Sequence, residues 1–161
     1  MSTEQVVEAV EREYGRLIEA IDAAERDATV TEEGWTTKDV VAHCIHWLGM
    51  IAFGLGAKLD PPSYVLGVDG PSLSGDEWNA RAVAHYADWS FDDVRAEFHR
   101  NVDALLAQAR QRTDGEMNAT DTVPWAGDRP LWNKIGTETF LHWPAHTEQI
   151  ESVSRGATRP V

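Results

Sequence analysis

The sequence predicts an all-α protein: a four-helix bundle with a long connection between its second and third helices and one short extra helix. Three observations carry this. Apolar residues recur in steps of three and four along four long segments. No stretch shows the two-residue alternation of a strand. Serine or threonine followed three positions later by an acidic residue stands where several of those segments begin. The chain of 161 residues has the size of one domain, 1–161. Its apolar fraction of 42% and its seven tryptophans can fill a core.

The first helix spans residues 3 to 25, where Val7, Val10, Tyr14, Leu17 and Ile21 form one stripe. Gly34 breaks the pattern. The second helix, "TTKDVVAHCIHWLGMIAF", opens on Thr36 with Asp39 and carries Val40, His43, Cys44, Trp47 and Ile51 on one face. Residues 57 to 75 are rich in Pro and Gly and read as a long connection, either a cover for a site or a plain crossover. Ser74 with Glu77 opens the short helix "GDEWNARAVAHYAD". Ser90 with Asp93 opens the third main helix, 91 to 112, striped by Val94, Phe98, Val102, Leu105 and Ala109. Residues 113 to 130 read as loop, and a last helix runs from about 131 to 154.

A net charge of −13 repels phosphate backbones and anionic lipid, so neither nucleic acid nor a membrane surface is an expected partner. Cys44 is the single cysteine, so no internal disulfide forms and a reducing, cytoplasmic setting is expected. The N-terminal stretch lacks an apolar signal core, and no apolar run reaches the ~18 residues of a membrane span.

The last helix carries the chemistry. Its stripe is Ile135, Thr139, His142, His146, Ile150 and Val153, which points both histidines at the core. His43 lies on the buried stripe of the second helix. A neutral imidazole needs a partner for each ring nitrogen. A metal ion satisfies one nitrogen on each of three rings at once, and three histidines leave an open position of the catalytic kind. A lone core histidine is more often simply hydrogen-bonded, and "HWPAH" lacks the glutamate of the zinc-protease motif. His46 and Glu138 are the candidates for an adjoining proton carrier; Glu138, one turn before His142, is also an alternative oxygen ligand. A structural role is nonetheless the expected one for His46, as for His99 and for His85, whose stripe also allows it to approach the site, and Cys44 is expected to be a small buried apolar residue. Pro144 stands between the two histidines of the last helix. Either it kinks that helix so that both rings reach one ion, or the helix begins late, near Trp143, where proline is tolerated.

The segment "GWTTKDVVAHCIHW" resembles the signature of the DinB-like superfamily, which includes the N-terminal domain of mycothiol-dependent maleylpyruvate isomerase and small bundles similar to the colibactin self-protection protein. "TFLHWPAHTEQI" resembles the closing motif of the latter group, and "DEWNARAV" the start of the second half of these bundles. The resemblance implies a four-helix bundle with a divalent metal, zinc or nickel, near one end. It puts ligands at His43, His142 and His146. In the isomerase branch the matching pattern would fall on Glu138 and His142, and Ala145 stands where that branch has an acidic residue, so the maleylpyruvate activity does not carry over.

The expected function is that of a metal-binding enzyme acting on an electrophilic small-molecule substrate. A low-molecular-weight thiol such as mycothiol would be the co-substrate of a transferase or isomerase. The loops around Pro61 and Trp125 would hold the other reactant; Trp35, Trp47, Trp125 and Trp143 are candidates to wall the pocket, with core packing the expected role of at least half of them. One alternative is a hydrolase of a reactive metabolite, with or without a metal. Another is a binding protein without turnover, for which a homodimer joined through a bundle interface would suit.

Overall fold

A computed structural model describes residues 1–59, 73–121 and 128–157 of the chain. The described residues form seven helices: α1 (Thr3–Ala23), α2 (Thr37–Gly54), α3 (Gly75–Tyr86), α4 (Phe91–Ala109), α5 (Asp114–Met117), α6 (Leu131–Thr137) and α7 (Trp143–Ala157). Their starts follow the sequence signals. Reciprocal capping boxes join Ser2 to Gln5, Thr36 to Asp39, Ser74 to Glu77 and Thr113 to Glu116. Each satisfies amide groups that a helix N-terminus leaves without partners.

α2 packs along α4, α1 along α7 and α4, and α3 covers α2. The apolar stripes meet in one core that includes Val10, Leu17, Leu48, Phe98, Leu105, Ile135 and Ile150. Trp143, fully buried, is its largest side chain and packs against Phe98 and Tyr14 at ring-centroid distances of 5.6 and 6.2 Å. No helix among the described residues is long and apolar enough to cross a membrane.

The architecture is the predicted all-helical bundle, with two differences of detail. Residues 113 to 117, expected as loop, include the short α5, which the Thr113–Glu116 box starts. The last helix, expected as one run from 131 to 154, is two helices joined by a turn over residues 138–142. In that turn the Gly136 carbonyl accepts from Thr139 and Leu141, and the Thr139 carbonyl accepts from His142 and Trp143. Glycine at 136 lets the Phe140 ring lie against this turn, because a Cβ there would stand 2.6 Å from Cζ of Phe140. Pro144 therefore lies in the first turn of α7, where its missing N–H breaks no helical bond. The helix begins late, and the kink is not the answer.

Most of the long connection, and the loops around Pro61 and Trp125, lie outside the described residues.

Candidate metal centre

Three elements deliver the site. α2 supplies His43 from its buried face, the 138–142 turn supplies His142, and the first turn of α7 supplies His146. His43 and His146 are 7% and 8% exposed, and His142 is half-buried. The Nε2 atom of His142 lies 3.2 Å from Nε2 of His43 and 2.9 Å from Nε2 of His146. Candidate ligand atoms of all three rings lie within 4.8 Å of one another. An ion held tetrahedrally at ~2.0–2.1 Å would separate such nitrogens by about 3.3 Å.

The outer ring nitrogens are held as well. His43 Nδ1 is 2.8 Å from Asn79 Oδ1, which also accepts the indole N–H of Trp47 at 2.8 Å. His146 Nδ1 is 2.8 Å from Gln149 Oε1. The exception is His142, whose Nδ1 is buried without a hydrogen-bond partner.

The cluster stays uncharged at neutral pH. Burial, then the neighbouring His146, lowers His43 to about 4, against a partial offset from Asn79. Burial, then His146 and His43, lowers His142 to about 3. Burial also lowers His146, with Gln149 opposing. Neutral imidazoles keep the lone pairs that a metal needs. Three close, neutral, inward-facing histidines can bind a divalent ion, and on that ground the residues fit a metal.

A cleft of about 680 Å³ opens beside the cluster, with His43 and His146 in its lining. Trp35, Val83 and Ala84 form an apolar wall, Asn79 and Gln149 are also in the lining, and among the described residues Glu33 and Asp76 are its ionisable groups besides the histidines. The Trp35 ring lies 5.4 Å from that of His43. It is placed by a tight loop in which the Val30 amide donates to the Trp35 carbonyl at 2.7 Å, and in which Gly34 takes a φ of 91° that favours glycine.

The other sequence candidates stand apart from the cluster. Glu138 is not among the converging ligand atoms. Burial raises its carboxyl to about 6, against the pull of Arg129. His46 is buried, stacked on Trp78 and edge-on to Trp47, and burial, then His43, lowers it to about 4. His85 lies against Tyr86 and Trp89, and His99 against Tyr14. The Cys44 thiol is buried, and burial, then Glu138, pushes its pKa up. Of the expected tryptophan walls, Trp35 lines the cleft, Trp47 acts through Asn79 and Trp143 belongs to the core. Asn79 and Gln149 carried no signal of their own in the sequence, although Asn79 sits within the "DEWNARAV" segment.

Three solved structures share the fold over nearly the whole chain. One is titled sibling lethal factor precursor, DfsB, with a TM-score of 0.78, 16% identity, and 99% of both chains covered. Another is an uncharacterised protein from Escherichia coli UTI89, with a TM-score of 0.75 and 13% identity over 99% of this chain and 96% of that one. A Streptococcus pneumoniae protein aligns with a TM-score of 0.74 and 13% identity over 96% of this chain and 91% of that one. No curated protein matches in sequence. The family profile of the DinB superfamily matches residues 7–149, through every helix of the bundle and all three converging histidines, and the chain belongs to that superfamily.

Proposed function

We propose that His43, His142 and His146 hold a divalent ion, zinc or nickel, and that the protein is an enzyme acting on an electrophilic small molecule that enters the adjoining cleft. The observation that carries this reading is the convergence of three neutral Nε2 atoms at one edge of that cleft. Three nitrogen ligands leave positions open for a reactant. When bound, such an ion lowers the pKa of a water or thiol and polarises an electrophile.

The protein's own groups would position the reactants. Trp35 and Val83 offer an apolar wall to the body of the substrate. Among the described residues the charged groups of the lining are Glu33 and Asp76, which oppose an anionic substrate against the pull of the ion. Glu138, with its carboxyl raised to about 6, is better matched than His46 to exchanging a proton near neutral pH. The nucleophile is either a low-molecular-weight thiol, giving a transferase or isomerase, or water, giving a hydrolase.

Elemental analysis of the purified protein, followed by turnover of a neutral electrophilic dye, tests the proposal. About one ion per chain and turnover that is lost with chelator and restored by zinc or nickel are expected. Dependence on added thiol distinguishes the transferase from the hydrolase. An ion bound without turnover under either condition would make the protein a binding module, and no bound ion would overturn the metal reading.

A further inference from the structure

We propose that Asn79 is a positioning residue: locked by the indole N–H of Trp47, it fixes His43 as its Nδ1–H tautomer and so presents the Nε2 lone pair to the other two histidines. Its purpose rests on the metal reading above, but its central test is made on metal-free protein.

An indole nitrogen can only donate. The Asn79 atom 2.8 Å from Trp47 Nε1 must therefore be the carboxamide oxygen, which settles the amide orientation chemically. The same oxygen lies 2.8 Å from His43 Nδ1. Two acceptors would repel at that distance, so Nδ1 carries the proton and Nε2 is bare. Gln149 has no such anchor among the described residues, and its amide can turn to match either tautomer of His146. The Trp47–Asn79–His43 chain is thus the fixed point of the cluster, and α2 and α3 jointly define it.

The bare Nε2 of His43 has a consequence for His142, whose Nε2 is 3.2 Å away. Without an ion, two lone pairs would face each other unless His142 carries its proton on Nε2. His142 therefore takes the tautomer opposite to that of His43. This leaves the buried Nδ1 of His142 as an acceptor without a partner. Loading a metal requires the reverse tautomer of His142, with Nε2 bare and the proton on Nδ1. His43 needs no such change.

Removing Asn79 releases His43. Its proton can then sit on Nε2 and bond to His142, closing the cluster against an ion. Histidine-selective ¹⁵N–¹H spectra of the metal-free protein should show His43 as Nδ1–H and His142 as Nε2–H. In Asn79→Ala, His43 should shift toward Nε2–H, and zinc or cobalt(II) affinity should fall about 10- to 100-fold with the fold retained by circular dichroism. Asn79→Asp keeps an acceptor for both donors, so it should keep the Nδ1–H tautomer and hold affinity within about tenfold of the original protein. His43 found as Nε2–H in the unaltered protein overturns the proposal. So does an Asn79→Ala variant whose His43 tautomer does not move, even if its affinity falls, because that loss would be structural. Should Asn79→Ala not fold, Asn79→Asp decides alone, and loss of the Nδ1–H tautomer there overturns the proposal. If the protein binds no zinc or cobalt(II), the metal reading fails while the tautomer spectra still test Asn79.

Discussion

The Nε2 atoms of His142 and His146 stand 2.9 Å apart across the start of a helix, one residue just before α7 and the other in its first turn. Pro144 between them breaks no hydrogen bond, because the first amides of a helix have no intrahelical acceptor. The pair owes its geometry to the 138–142 turn and not to a bent helix.

Pro144→Ala should therefore be nearly silent. Stability should fall by less than about 1 kcal/mol, chiefly through a more flexible unfolded chain. Metal affinity should stay within about twofold, since the ring makes no contribution to the cluster. Thermal melts and cobalt(II) titration check both values. A large loss of affinity would restore a role for the proline.

Gly136→Ala should be far from silent. The added Cβ meets the Phe140 ring at 2.6 and 2.8 Å, so ring or turn must move. Overpacking of this kind costs about 1–3 kcal/mol. The displaced turn is the one that carries His142, so weaker metal binding should accompany the loss in urea denaturation.

His43→Ala, His142→Ala and His146→Ala should each lower zinc affinity by more than about 100-fold, beyond the usual cost of losing a supporting residue. His85→Ala and His99→Ala should leave it unchanged. Competition with a chromophoric chelator measures all five.

Acid should release the metal late. His43 is lowered to about 4, His142 to about 3, and His146 is lowered as well, so protons on the folded protein compete below the ordinary ~6.5. Zinc affinity should hold through about pH 6.5 and fall most steeply near pH 3–4, where His43 and His142 take up protons. Loss beginning near pH 6.5 would mean that the rings are well hydrated.

The metal-free fold should weaken earlier. His43, His46, His142 and His146 have folded pKa values below their unfolded values, so the unfolded chain takes up more protons in acid. Their contribution is complete above about pH 6.5 and is lost as pH falls toward about 3–4, at no more than roughly 1.4 kcal/mol per pH unit for each ring. Glu138 acts in the opposite sense: its contribution is present below about 4.5 and lost as pH rises through about 6. The histidines outweigh it, so the melting temperature of the metal-free protein should drop between pH 7 and pH 5.

Much of this was legible in the sequence. His43, His142 and His146 stood on apolar stripes, and a polar ring on such a stripe asks for a partner. The capping pairs marked the starts of α2, α3 and α4. The turn at 138–142 was hidden because Thr139 and His146 stay buried through it, so the apolar rhythm of the last segment continues across the break. Asn79 could not be singled out, because one asparagine on a short helix has no periodic signal; its role comes from the indole of Trp47, which only packing brings near. The cleft was out of reach for the same reason, since its lining comes from a loop and three helices far apart in the chain.

His43 and His142 are 99 residues apart. An ion bound to both would be a reversible staple across α3, α4, α5 and α6. In a disulfide, closing a loop of that length removes chain entropy worth about 4–5 kcal/mol from the unfolded ensemble. An unfolding chain must either release the ion or keep that loop shut. Occupancy of a small site at one end of the bundle would thus be felt as resistance to opening through the middle of the protein.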